Sequence, residues 1–397
     1  MRPILLAVLL LVACSDQTDP SPRAFADAVA AGRAACAFTV GGQTLCWGDN
    51  STGGLGTNAG ERELVPTLMA GNPSFAFLAV GRTSCGIDDA ARAFCWGEGG
   101  YGNLGTGSLL RDQPVPQAVR TQLRFRRVAT ALTASCGIAL DSTAWCWGEG
   151  RNGMLGTGAI VGMPVGYLPC DPNLPLGPAC APTPVPVAGG HRFTDLAMGG
   201  YQACAVASDE RVWCWGYGVP GNVNGAVAFE PVPVPGSLAL VRIAHGGEDL
   251  TCGLTPAGKA RCWGAVVNSP SGQGGEVIYH QPEPAAVDDR LTFSELAVGD
   301  RHACGVTPGG TAWCWGANVA GALGDGTTEP GVVDGAFLPT VAGGDLRFAE
   351  IAAGADFTCG VSEENLLYCW GSNGWGQVGD GSLTARLVPT PVSGQGE

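Results

Sequence analysis

The chain has 397 residues and a formal charge of −14, with 21 Lys and Arg against 35 Asp and Glu. That balance repels phosphate backbones, so nucleic acid is excluded as an expected partner. With 64 glycines, only 14% charged residues and no long amphipathic period, the composition predicts many short strands rather than helices.

The first residues read as an export signal: Arg2, an apolar run Ile4 to Val12, then Leu11-Val12-Ala13-Cys14. The last four resemble the lipobox of bacterial lipoproteins, which makes residues 1–13 the signal peptide and Cys14 the acylated anchor. The alternative is an ordinary secretory signal with an incidental cysteine. Residues 14–24, polar and containing Pro20 and Pro22, form a flexible tether. Ser15 after the anchor follows the enterobacterial sorting pattern for the outer membrane. The expected location is therefore the cell envelope, with membrane contact through the lipid alone. Loss of Arg2 with the signal leaves 20 basic residues against 35 acidic ones, a mature charge of −15.

From Phe25 onward, one tripeptide recurs. Cys-Trp-Gly begins at Cys46, Cys95, Cys146, Cys214, Cys262, Cys314 and Cys369, and a cysteine stands ten residues before each: Cys36, Cys85, Cys136, Cys204, Cys252, Cys304 and Cys359. Removing Cys14 from 17 cysteines leaves sixteen, and Cys170 with Cys180 completes the set of pairs ten apart. In an exported chain these are expected to be disulfides. Antiparallel partners ten apart enclose a hairpin tip of about three residues, the third of which favours a left-handed backbone. Gly42, Gly258, Gly310 and Asn365 suit that position, and Ala91, Ser142 and Glu210 suit it less well. Each staple is expected to contribute about 2–3 kcal/mol by restricting the unfolded chain.

The period of two along Trp145-Cys146-Trp147 sends both indoles to one face and the sulfur to the other. Trp213-Cys214-Trp215 and Trp313-Cys314-Trp315 repeat this pattern. The seven Cys-Trp-Gly tryptophans, Trp47, Trp96, Trp147, Trp215, Trp263, Trp315 and Trp370, are therefore expected to pack between successive units. The repeats run over about 25–73, 74–124, 125–192, 193–240, 241–292, 293–347 and 348–397.

The end of the seventh unit, Cys369-Trp370-Gly371-Ser372-Asn373-Gly374-Trp375-Gly376-Gln377-Val378-Gly379, resembles the repeat of the regulator of chromosome condensation family. Units one, two, three and six share the pattern, whereas units four and five keep the strand and lose the Gly-Leu-Gly turn. The resemblance implies an all-β fold, a single seven-bladed β-propeller over residues 25–397, with a stapled hairpin in each blade. A Pro-Val strand precedes units two to seven but not unit one, and Leu387 to Val392 is left over at the C-terminus. This last strand is expected to complete the blade begun at Phe25.

The segment 159–191 is the longest insertion, proline-rich and stapled by Cys170 and Cys180, and is expected to be the leading recognition element, the alternative being a merely decorative stapled loop. Ala265 to Arg290 and Ala317 to Leu346 are shorter insertions expected on the same rim. Gly97 to Gly102 and Gly148 to Gly153 fit a G-x-G-x-x-G pattern but lead into no helix, so they do not predict a nucleotide site. His191, His245, His280 and His302 are scattered without metal spacing, and Asp325 and Asp380 in Gly-Asp-Gly read as turn residues, with calcium binding as the alternative. No catalytic motif, metal site or cofactor is expected.

The family's nucleotide exchange on a nuclear GTPase does not fit an exported, acidic, disulfide-bonded chain. Exported relatives of the resemblance include a secreted propeller that inhibits β-lactamase. The expectation is thus a non-enzymatic, monomeric scaffold that binds an envelope or extracellular protein through its loop face, with Tyr101 and Trp375 as aromatic anchors. The competing readings are a glycan-binding or glycan-active envelope protein, and a passive surface spacer.

Overall fold

The computed structural model describes residues 23–58, 60–109, 111–158, 167–170, 179–219, 227–236, 238–247, 250–268, 277–333 and 336–395. Seven antiparallel sheets form a β-propeller. Six have four strands in chain order, and the third blade gains a fifth, Leu168–Pro169, beside Ala179–Pro186. Blade 1, for example, comprises Phe25–Ala31, Ala34–Thr39, Thr44–Asp49 and Arg62–Leu68.

The second and third strands of every blade place the two cysteines directly opposite one another, from Cys36 with Cys46 to Cys359 with Cys369. Their Cα atoms are 4.0–4.1 Å apart. That is the close spacing of a pair that exchanges no ladder hydrogen bonds. All seven tips use a positive φ at the same position, including Ala91 (60°), Ser142 (70°) and Glu210 (67°). Aspartates support these three less suited residues: Asp88, Asp141 and Asp209 accept backbone N–H bonds from Arg92, Thr143 and Arg211.

Seven apolar clusters correspond to the seven blade junctions, and each is built to one formula. The disulfide of one blade packs against the Cys-Trp-Gly indole of the next, as Cys36 and Cys46 with Trp96 and Phe75, or Cys304 and Cys314 with Trp370 and Phe348. Period-two alternation accounts for this, since sulfur faces forward and indole backward around the ring. All seven indoles are buried.

Closure follows the same formula and corrects the strand-exchange expectation. Arg386–Pro391 pairs with Leu367–Gly371 of its own blade 7, while Arg62–Leu68 already completes blade 1. The Pro-Val strands are thus the outer strands of the units they follow in sequence. Blades 7 and 1 meet through Cys359, Cys369 and Val378 against Phe25 and Trp47, helped by Phe25 N–H donating to Asn365 O. Prolines on the outer strands, such as Pro66, Pro116 and Pro389, withhold donors from edges that would otherwise invite pairing.

Candidate interaction face

Up-and-down strand order sends the loops after first and third strands to one face, the loop face. Hairpin tips and blade-to-blade connectors go to the other. The third-to-fourth loops of blades 1, 2, 3, 6 and 7 carry the Gly-rich turn, and their carbonyls accept the indole N–H of the following blade. Trp96 donates to Gly54 O at 2.9 Å, Trp147 to Asn103 O at 2.8 Å, Trp215 to Met154 O at 3.0 Å, Trp370 to Ala322 O at 2.9 Å and Trp47 to Gln377 O at 2.9 Å. The turn's last glycine lies against that indole: a Cβ on Gly324, at φ +73°, would sit 2.5 Å from Trp370 Nε1. Blades 4 and 5 lack the turn, and among the described residues Trp263 Nε1 and Trp315 Nε1 find no acceptor.

Asn50, Asn318 and Asn373 organise three of these turns. Asn318 Oδ1 accepts Leu323 N–H while its amide donates to Glu329 O, and Asn373 does the same with Val378 and Thr384. Asp325 and Asp380 are turn acceptors, for Thr327 N–H and Ser382 N–H. His302 is buried at the junction of blades 6 and 7, its Nε2 2.8 Å from Thr358 Oγ1. Burial holds its pKa down at about 4, so the imidazole is neutral.

The segments flanking the insertions leave at the loop face. Residues 159–166 and 171–178 lie outside the described residues, but Cys170 is bonded to Cys180 on the outer strand of blade 3. Ala265 to Arg290 contains an extension of the sheet, with pairing from Gly264↔Gln281 to Asn268↔Val277. Within Ala317 to Leu346, a small hairpin places Val332 and Phe337 in the cluster around Trp315. Cys14 and residues 1–13 lie outside the described residues. Of the tether, Arg23 and Ala24 are already hydrogen-bonded to blade 1, at Pro66 O and Val40 N–H.

The two aromatic anchors fare differently. Tyr101 is 37% exposed on the loop face of blade 2. Trp375 is half-buried, with the Arg33 and Arg62 guanidiniums over its ring at 5.1 and 5.6 Å. These arginines tie it to blade 1 across the closure.

Two features escaped the sequence reading. Tyr201 and Tyr217, 40% and 44% exposed, are joined on the loop face of blade 4 by Tyr217 N–H donating to Tyr201 O at 2.9 Å. Their signal was a comparison of units at fixed offsets from the cysteines, where other blades carry charged residues. The second feature is the inner wall of the ring, where equivalent first-strand positions bring Asp27, Phe77, Arg127, Asp195, Arg242, Glu295 and Glu350 together. Arg127 pairs with Asp195 at 2.6 Å, and Arg242 pairs with Glu295. Burial, reinforced by Glu295 and Asp27, pushes the Glu350 carboxyl up to about 7. Above this wall the first-to-second-strand loops enclose a cavity of about 380 Å³ at the axis. A larger one, about 620 Å³, lies on the tip face between Phe75, Phe94 and Pro116. Its charged pair, Arg92 with Asp88 at 2.6 Å, is already formed.

Models of the regulator of chromosome condensation repeat match residues 91–138, 309–361 and 364–397, and a second model of the repeat matches 293–322 and 348–377. The matched stretches, residues 91–138 and 293–397, carry regulator of chromosome condensation repeats. Over 278 residues, 68% of the chain, it is 27% identical to the human E3 ubiquitin-protein ligase HERC2, and the match covers 5% of that protein. It is 31% identical over 208 residues to the Arabidopsis thaliana ultraviolet-B receptor UVR8, covering 51% of this chain and 46% of that one. The chain thus spans a twentieth of HERC2 and about half of UVR8. Among solved structures, human WBSCR16 superposes with a TM-score of 0.71 at 16% identity, covering 88% of this chain and 94% of that one. Prp20p of Saccharomyces cerevisiae, described with its binding to Gsp1p and histones, gives 0.69 at 20% identity, covering 94% and 86%. These two likenesses establish the propeller fold.

Proposed function

We propose that this chain is a lipid-anchored propeller scaffold of the bacterial cell envelope that binds another protein through its loop face, without catalysis of its own. The observation that carries the reading is the asymmetry of that face. Blades 1, 2 and 7 close it with short Gly-rich turns, while blade 3 adds the strand Leu168–Pro169 and the Cys170–Cys180 staple, blade 5 an extended hairpin and blade 6 a small hairpin. A rigid ring with variation on one side is the arrangement of a binding surface. The described binding of Prp20p to Gsp1p and histones supports a protein partner in kind. The lipobox-like Leu11-Val12-Ala13-Cys14 supports the envelope.

The test is affinity co-purification from envelope extract with a soluble exported form that starts after Cys14, beside one lacking residues 160–190. The expected result is one protein retained by the first and lost by the second, with direct binding then measured between the purified pair. Retention of nothing by either form would sink the scaffold reading. Labelling with a radioactive fatty acid tests the anchor: the wild type should incorporate it and Cys14→Ser should not.

A further inference from the structure

At the loop face, one backbone hydrogen bond recurs in six blades. A residue three positions after the second cysteine donates its N–H to the carbonyl three positions before the first: Asp49 to Arg33, Glu98 to Arg82, Glu149 to Thr133, Tyr217 to Tyr201, Ala317 to Arg301 and Ser372 to Asp356, all at 2.8–2.9 Å. The bond identifies equivalent positions without reference to loop length. In blade 2 they hold an ion pair, Arg82 to Glu98 at 2.7 Å. In blade 1 the row is Arg33, Asp49 and, opposite Asp49, Arg62.

Blade 4 reverses this chemistry. Its row is Tyr201, Tyr217 and, opposite Tyr217, Val227, with Phe229 41% exposed beyond it. The Arg82–Glu98 pair shows that side chains at these two positions can reach one another, so the two exposed phenols occupy neighbouring positions of one rim. Among the described residues neither ring lies under an arginine, whereas the chain covers Trp375, Phe77, Phe94 and Trp213 with its own guanidiniums. Blade 1 shows the complementary half of such a contact, two row arginines on one inserted indole.

We infer that the Tyr201–Tyr217 rim of blade 4 receives an arginine side chain from a basic protein partner. The inference rests on the scaffold reading and adds a position and a partner chemistry to it. Tyrosine faces attract a guanidinium through the ring quadrupole, and the phenol oxygens accept from its N–H groups. The formal charge of −14 draws a basic surface toward the chain. Arginine is favoured over lysine because its plane stacks on an aromatic face.

The test uses the purified full chain and a fluorescent repeating Gly-Arg dodecapeptide, read by anisotropy beside a Gly-Lys peptide of equal charge and a chitin hexasaccharide. The Gly-Arg peptide should bind several-fold tighter than the Gly-Lys peptide. Tyr201→Arg with Tyr217→Glu, which recreates the blade 2 pair, should weaken it roughly tenfold, as expected for the loss of two cation–π contacts. Installing the aromatic pair in blade 2, by Arg82→Tyr with Glu98→Tyr, should add a second binding equivalent and guards against a folding defect in the first variant. Equal affinity for both peptides, or no change in either variant, would overturn the site in favour of bulk charge. Hexasaccharide binding lost in the first variant would overturn it in favour of a glycan. If a co-purified protein stays bound to the first variant, the scaffold reading stands and this site falls. If no protein is retained but the peptide behaves as stated, the site stands and the scaffold reading falls.

Discussion

The junctions of this ring fall into two kinds. Five are tied at the loop face by an indole N–H on the carbonyl of the preceding blade's Gly-rich turn. The two on either side of blade 5 leave the indole nitrogens of Trp263 and Trp315 without an acceptor among the described residues. Those two are tied at the inner wall, where Asp195 Oδ2 accepts Ile243 N–H at 2.9 Å between blades 4 and 5, and Arg242 pairs with Glu295 between blades 5 and 6, while the junction of blades 3 and 4 has both a rim bond and a wall pair, Arg127 with Asp195. At the closure the balance is opposite: Trp47 is bonded at the rim, while Asp27 and Glu350 face each other's charge inside. The difference teaches that a propeller can exchange rim contacts for wall contacts junction by junction, releasing a rim loop to diverge wherever the wall holds.

The largest effect is expected at a tied rim. Gly324→Ala places a Cβ against the Trp370 indole and on a left-handed backbone, and should cost about 3 kcal/mol in denaturant unfolding. A change below about 1 kcal/mol would show that the rim contact yields easily, and would break the distinction between the two kinds of junction.

Next comes a matched pair, Trp370→Phe and Trp263→Phe. Both lose the same side-chain volume, but only the first loses a hydrogen bond, and the second removes a buried donor that finds no acceptor among the described residues. Trp370→Phe should therefore be worse by about 2 kcal/mol. Equal losses would mean that Trp263 has an acceptor after all.

The smallest effect sharpens the account of the closure. Burial and the neighbouring acids raise the Glu350 pKa to about 7, from the ordinary 4.5. Between those values the folded state holds a proton that the unfolded state has released, so stability falls as pH rises from about 4.5 to 7. Glu350→Gln should stabilise the chain by about 1 kcal/mol at pH 8, after allowance for solvent screening, and change nothing at pH 4.5. A thermal melt at the two pH values checks this. A gain at both would point to packing rather than charge.

The stapled hairpins were legible because a disulfide and a tight turn each fix a distance, and a ten-residue interval satisfies both at once. The tips at Ala91, Ser142 and Glu210 looked unsuitable because the aspartate bonds that support a left-handed residue are invisible to a residue-by-residue reading. Closure was misread for a definite reason. A Pro-Val strand lies between two Cys-Trp-Gly motifs in sequence, and spacing alone does not say which it joins; the pairing of Cys146 with Val185 on the same blade does. The surroundings of Trp375 were not legible because its arginines come from blade 1, over three hundred residues earlier in the chain. The Tyr201–Tyr217 pair needed a common frame across the blades, and the recurring backbone bond provides it.

Each of the eight disulfides lies within one blade, and among the described residues no strand ladder crosses from one sheet to the next. Under tension from its two ends, such a ring has a defined way to fail. The junction of blades 7 and 1 parts first, since it bears the load without any covalent link, and the blades then peel away in turn. Each staple withholds roughly 30 Å of contour that a reduced chain would release. The oxidised molecule is therefore a string of short locked segments, able to open while keeping its hairpins and to clasp shut again without having to re-form a single cysteine pair.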